Sequence, residues 1–194
     1  MTRTSANVRR AEGPGERRAV PGLAIWSEGT EGEGMSELAD VAPAFVEMAH
    51  RIVWCVVATT DTKGNPSTRV LHPVWEWDGA ELTGWIATSP NSPKAAHLAA
   101  NAGISLTYWH PDQDTATAAC HTSWDDTEEG RQAGWDRFLL APEPVGYDPR
   151  IIPQWTSPTA PEFGVLRLRP TSLRVMLGSL MTAGIGVPSI WRRA

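Results

Sequence analysis

The chain has 194 residues and a formal net charge of -5, with 22 acidic against 17 basic residues. That length gives one domain with tails and a real core, and the acidic balance excludes the basic footprint that nucleic acid or an anionic membrane surface requires. No run is apolar enough to cross a bilayer as a helix, and the two cysteines show no pairing or zinc spacing, so a cytoplasmic chain with reduced thiols is expected.

Residues 1–34 are rich in Gly, Arg and Glu, have no periodic apolar face and carry no secretory signal. They read as a disordered tail. From Ser36 the pattern changes: Leu38, Val41, Ala42, Phe45, Met48 and Ala49 recur at helical spacing, giving a first helix to about His50 after a serine cap. Ile52–Thr60 is a β-branched and aromatic run, hence a buried strand. A turn at Asp61–Pro66 joins it to a second strand over Ser67–Trp77, and Asp78-Gly79 is a hairpin signal leading into Glu81–Ala87.

A polar loop then opens a helix at Ser92-Pro93-Lys94, continuing as KAAHLAAN and stopping near Asn101-Ala102-Gly103. Ser92 is a good N-cap and Pro93 fits the first helical position. The free N–H groups and dipole of such a helix start attract an anion. The chain has only two lysines, and Lys94 stands at this point. Arg69, on the preceding strand, can add a bidentate contact to the same phosphate. An ordinary capped helix with a solvated lysine also satisfies these residues.

Strands follow at Ile104–Trp109 and Thr115–Trp124, then a helix at about Asp126–Leu140 with Asp125 and Glu128 as a capping box. Ala141–Pro161 is proline-rich loop, and Glu162–Arg169 alternates like a closing strand, continued by Leu173–Leu177. Residues 179–194 read as a C-terminal tail. The sum is a mainly β, α+β domain over residues 35–178: an antiparallel barrel with flanking helices, whose closure removes exposed edges. Ten tryptophans suit a β-rich core with flat walls.

The order of elements, with R-V-L at Arg69–Leu71, T-S at Thr88–Ser89 and S-P-K-A-A-H-L-A-A-N at Ser92–Asn101, resembles the pyridoxamine 5'-phosphate oxidase-like superfamily. These are FMN-binding split barrels, a group that includes deazaflavin-dependent reductases and general-stress flavoproteins. The resemblance spans about Phe45–Leu177 and implies a six- to seven-stranded antiparallel split β-barrel. It places Arg69 and Lys94 on the flavin phosphate, Thr88 in the wall of the same pocket, and Val70 and Leu71 along the isoalloxazine ring. Ser92, as N-cap, is an extra phosphate contact by geometry.

Two features depart from the family's oxidases. Pro93 stands where a second basic residue is usual, and Leu173–Gly178 does not match the segment that recognises pyridoxal phosphate, so vitamin B6 is not the expected substrate. The resemblance implies hydride transfer between FMN, or alternatively a deazaflavin coenzyme, and a small organic substrate, with the cofactor carrying the chemistry. It also implies a homodimer with the pocket between subunits. A non-catalytic flavin-binding or planar-ligand stress protein on the same barrel is the alternative.

No catalytic side chain is assigned. Trp75, Trp85, Trp109 and Trp124 stand either near the ring or in the core and dimer seam. Cys120-His121 point to opposite faces of a strand, against a Cys–His nucleophile. The histidines lack a zinc spacing, and Asp112, Asp114, Asp125 and Asp126 read as turn and cap residues. Arg131, Arg137 and Arg150 are left as candidates for the longer acidic tail of a deazaflavin coenzyme.

Overall fold

The structure, a computed structural model, describes residues 36–194; the expected tail over 1–34 lies outside the described residues. In chain order the elements are α1 (Leu38–Ile52), β1 (Cys55–Thr60), β2 (Pro66–Leu71), β3 (Pro73–Trp77), β4 (Leu82–Thr88), α2 (Pro93–Ala100), β5 (Gly103–Trp109) and β6 (Thr115–Trp124). They continue with α3 (Glu128–Leu140), a 3-10 turn at Pro149–Ile151, β7 (Gly164–Met176), α4 (Gly178–Ala183) and β8 (Ser189–Arg192). All strand pairings are antiparallel, in the order β2-β1-β5-β6-β7-β4-β3, with β8 also on β7. This is the split barrel, built of eight strands rather than six or seven, and its sheet does not close. No described helix is long and apolar enough to cross a membrane.

The split has a local cause. The expected strand over Ser67–Trp77 is two strands, because the chain swaps partners at His72: β2 pairs with β1, and β3 pairs with β4. Pro73 follows immediately and has no N–H to continue a ladder. The two ends of the open sheet are thus joined through one residue. On the far side β7 is the hub, pairing with β6 along its length, with β4 through its first half and with β8 through its second. The segment expected as a C-terminal tail therefore supplies a strand, and the Ser36 N–H reaches across to the Ile190 carbonyl at 2.8 Å.

Two helix starts differ from expectation. Ser36 bonds to β8, and α1 begins after Glu37 with no side-chain cap. At α3 the cap is Thr127, whose hydroxyl accepts the Gly130 N–H, while the Asp125 N–H is tied to the Val165 carbonyl. Threonine two residues nearer the helix serves the same purpose as the expected box.

Two apolar clusters flank the sheet. The larger, inside the barrel under α1, centres on Phe45, Trp75, Leu106, Tyr108, Leu166 and Leu173. Trp75 packs edge-on against Phe45 with ring centroids 5.0 Å apart and donates its Nε1–H to the Tyr108 hydroxyl at 2.8 Å. A Cβ on Gly84, opposite in β4, would lie 2.7 Å from that indole, so the site needs glycine. The smaller cluster joins Trp85, Trp135, Phe138, Trp155 and Phe163 beneath α3. With both faces covered, every residue of β4 is buried, which is why its sequence runs apolar instead of alternating.

Cys55 and Cys120 both sit in the larger cluster as free thiols. Burial pushes the Cys55 thiol up to about 12, and the Cys120 thiol is raised as well, again mainly by burial.

His50 and His72 titrate below the ordinary imidazole value of 6.5, in each case chiefly because burial disfavours the cation. Glu76 pulls His50 the other way, as the Val145 carbonyl does His72. The folded state therefore binds fewer protons here than the unfolded chain, and stability rises with pH through this window. This contribution is complete above the ordinary imidazole value and is lost as the pH falls through the lowered folded values. Melting temperature should fall between about pH 7 and about pH 5, before the carboxylates titrate, and His72→Phe should flatten that slope. A wild-type profile level over this range would refute the assignment.

Candidate functional site

Arg69 lies on β2, an end strand of the open sheet, opposite Val57 of β1. Its side chain turns toward β1, where one terminal guanidinium nitrogen donates to the Thr59 hydroxyl at 2.8 Å and the Val57 carbonyl at 3.2 Å, and the same nitrogen donates to the Ser67 carbonyl of its own strand at 2.9 Å. Lys94 approaches from the first turn of α2, and its ammonium donates to the Ser92 hydroxyl at 2.6 Å. Both cations are partly buried. Burial lowers the pKa of each, and Lys94 is lowered further by the positive charge of Arg69. Among the described residues no carboxylate forms a salt bridge with either. Two like charges brought together in a partly desolvated place, with no acid between them, are what an anion would relieve.

Ser92 occupies the N-cap position, but its hydroxyl does not cap the helix. It donates to the Ser89 carbonyl at 2.7 Å and accepts from Lys94. Pro93 has no N–H, and the Ala95 N–H is bonded to the Ser92 carbonyl at 2.9 Å. The first turn thus offers few free donors, and the attraction for an anion comes from the side chains. The loop is pinned from outside: Glu162 accepts from the Ser89 hydroxyl at 2.7 Å and from the Asn91 side chain at 2.9 Å, which holds its carboxyl below the usual range.

The other expected positions divide. Thr88 is buried at the end of β4, and no hydrogen bond of its hydroxyl joins it to Arg69 or Lys94. Val70 is 59% exposed on the outer face, while Leu71 turns inward and packs against the core. Neighbours on a strand face opposite ways, so a ligand that touches both Arg69 and Val70 must pass around the strand. At β2 it can, because β2 ends the sheet, and its outer N–H and C=O groups have no ladder partner among the described residues.

Two further residues belong to the cluster. Thr59 is buried on β1 between Arg69 and His97, whose Nδ1 is 2.9 Å from its hydroxyl. The available signal was spacing: His97 is one turn beyond Lys94 and so shares its helix face. Among the tryptophans, Trp75 and Trp85 are core residues and Trp124 packs against the core, while Trp109 is 55% exposed at the end of β5. The three arginines considered for an acidic tail are engaged locally. Arg131 bonds to the Ala160 and Phe163 carbonyls and Arg150 to Asp148. Arg137 bonds to Glu76 at 2.6 Å and lies over the Trp85 ring at 3.6 Å.

The architecture is a split-barrel fold, shared with solved structures of proteins described as related to pyridoxamine 5'-phosphate oxidase. Solved structures similar to the chain include a pyridoxamine 5'-phosphate oxidase-related, FMN-binding protein from Nostoc punctiforme, at 17% identity and a TM-score of 0.58 over 78% of this chain and 90% of that one. Another is a protein of the pyridoxinephosphate oxidase family, related to general stress protein 26 of Bacillus subtilis, from Clostridium acetobutylicum. Here identity is 12% and the TM-score 0.57, over 80% of this chain and 94% of that one. A NimC/NimA family protein from Clostridium acetobutylicum aligns at 12% identity with a TM-score of 0.57, covering 78% and 90%. At such identities the likeness is one of fold. No family model matches the sequence, and no curated protein matches it.

Proposed function

We propose that the chain binds FMN through its phosphate at Arg69 and Lys94 and serves as a flavin-dependent oxidoreductase acting on a small organic substrate. The observation that carries this reading is the pair of partly buried cations with no acidic partner among the described residues, set beside the end strand of the sheet. The fold supports it too, since a Nostoc protein with this architecture is described as FMN-binding. When bound, the flavin supplies hydride acceptance and donation, so the protein needs no nucleophile of its own. Arg69, Lys94 and Ser92 hold the phosphate end, and the unpaired edge of β2 at Val70 and Leu71 faces the ring.

FMN is preferred over a deazaflavin coenzyme for a specific reason. A longer acidic tail needs further free cations, and Arg131, Arg137 and Arg150 are each bonded elsewhere. We place a second copy of the chain on the outer face of β1, β2 and β5. Trp54, Val56, Val70 and Trp109 are all exposed there, an apolar patch beside the site that a symmetric dimer would cover.

The test is titration of purified protein with FMN and with the deazaflavin coenzyme, read by cofactor fluorescence, followed by assay of the loaded protein with a nicotinamide donor. Micromolar or tighter FMN binding with turnover is expected. Binding without reduction or oxidation by any partner would favour the non-catalytic binding protein. Binding of neither cofactor would overturn the site.

A further inference from the structure

We propose that Glu162 is a positioning residue of the Arg69–Lys94 site: it clasps the Ser89–Ser92 loop to the start of β7, and the clasped loop presents the Lys94 ammonium to the anion. For its effect on binding the inference rests on the phosphate reading above. It adds a residue from a distant part of the chain that forms no salt bridge with either cation.

The linkage begins at Lys94. Its ammonium donates to the Ser92 hydroxyl at 2.6 Å, and that hydroxyl gives its one proton to the Ser89 carbonyl at 2.7 Å. Ser92 therefore faces the ammonium only as an acceptor, the one role that a group with three donors can use. The Ser92 backbone N–H reaches the same Ser89 carbonyl at 3.3 Å. Where Ser89 sits thus decides where Lys94 sits. Glu162 fixes Ser89: one carboxylate oxygen accepts its hydroxyl proton at 2.7 Å, and the other accepts the Asn91 side-chain N–H at 2.9 Å. Asn91 in turn donates its backbone N–H to the Ser89 hydroxyl at 3.2 Å. A single carboxylate grips the loop at two points.

The clasp has a rigid base. The Ala160–Phe163 turn is closed by the Phe163 N–H on the Ala160 carbonyl at 3.0 Å, and Arg131 of α3 donates to the carbonyls of both residues. Phe163 is fully buried between Trp135 and Trp155, with ring centroids 5.0 and 5.4 Å away. β4 and β7 pair as far as Thr88 and Gly164, so the loop leaves the sheet beside Glu162. A Cβ on Gly164 would stand 3.1 Å from Pro90 Cδ, a measure of how closely the loop lies on this base.

The action is mechanical. Burial and Arg69 account for the lowered Lys94, and Ser89 and Asn91 for the lowered Glu162; neither group feels the other's charge. A free lysine stem samples many rotamers, and an ammonium already held at its post loses less freedom when an anion arrives.

The first measurement needs no flavin. The chain has only two lysines, so protein isotope-labelled at lysine Cε gives one NMR signal for each, and Lys63→Arg identifies that of Lys94. In wild type the Lys94 signal should titrate below the ordinary lysine range. In Glu162→Ala it should move up toward that range as the ammonium is released to solvent. Glu162→Gln should recover the wild-type behaviour, because its amide oxygen still accepts from Ser89 and the Asn91 amide can turn over to meet it. In fluorescence titrations Glu162→Ala should weaken FMN by about three- to tenfold, a part of what one hydrogen bond to a charged group is worth. In the Lys94→Ala background the same change should do nothing further, since no ammonium is left to position. Riboflavin, which lacks the phosphate, should bind wild type and Glu162→Ala alike.

Identical titration of Lys94 in wild type and Glu162→Ala would overturn the proposal. So would an equal FMN loss from Glu162→Ala with and without Lys94, or a riboflavin loss as large as the FMN loss. If Arg69→Ala and Lys94→Ala bind FMN normally, the phosphate reading itself has failed and takes the binding effect with it, while the Lys94 titration shows separately whether the clasp holds the amine.

Discussion

Arg69→Ala combined with Lys94→Ala should lower FMN affinity by about two to three decades and leave riboflavin binding nearly unchanged. Each group is worth ~1.5–3 kcal/mol as a charged hydrogen bond to phosphate. Because both side chains are only partly buried, solvent screening places the sum toward the low end, about 3–4 kcal/mol. At about 1.4 kcal/mol per decade this gives the stated range. Stability should respond differently in the two single variants. Among the described residues Lys94 is bonded only to Ser92, and it stands in the field of Arg69, so removing it relieves a repulsion and should not lower the melting temperature. Arg69 ties β2 to β1 through two acceptors, the Thr59 hydroxyl and the Val57 carbonyl, so Arg69→Ala should cost some stability even without ligand. Fluorescence titration with both flavins, alongside thermal melts, separates the effects. Equal FMN affinity in wild type and double variant would eliminate the assigned phosphate site.

Trp75→Ala should be the most destabilising single change in the barrel, by about 3–5 kcal/mol. The indole fills the space left by Gly84, meets Phe45 edge-on and donates to the Tyr108 hydroxyl, while its backbone N–H bonds to His50 Nε2 at 3.0 Å. Truncation opens a large cavity and strips a buried hydroxyl of its donor. For a domain of this size the loss corresponds to roughly 10 °C or more in melting temperature. Trp75→Phe should cost less, since most of the ring volume stays and only the bond to Tyr108 is lost. The same pair of variants tests whether Trp75 takes part in binding: the folded fraction of Trp75→Phe should bind FMN as wild type does. A melting temperature within a degree or two of wild type in Trp75→Ala would contradict the described core.

Much of this fold is legible in local pattern. The heptad-like run from Leu38 to Ala49 gives α1, the β-branched runs give β1 and β5, and Ser92-Pro93 marks the start of α2 within a residue. The elements that escape pattern are those decided by distant partners. Only Pro73 hints at the break in TRVLHPVWEW, and the swap of neighbours between β1 and β4 that makes it a break lies outside that string. β8 is four residues of unremarkable sequence, and it is a strand because the second half of β7 needs a partner. At the site, Arg69 and Lys94 were identifiable as cations in the right order along the chain. That no acid among the described residues neutralises them is a fact of three dimensions. Thr59 and His97 were hidden for the same reason: they come together only when β1 and α2 are placed side by side.

The two buried thiols have a practical consequence. The whole chain contains only Cys55 and Cys120, and both are shut inside the barrel with thiols too weakly acidic to form the reactive thiolate near neutrality. To a maleimide reagent the folded molecule is therefore blank. A single cysteine introduced on an exposed position, for example at Thr107 beside the apolar outer patch, would be the one addressable point on the molecule. A spin label or dye could be attached there without first removing the natural cysteines, and a distance between two such labels would report directly on whether copies of the chain associate.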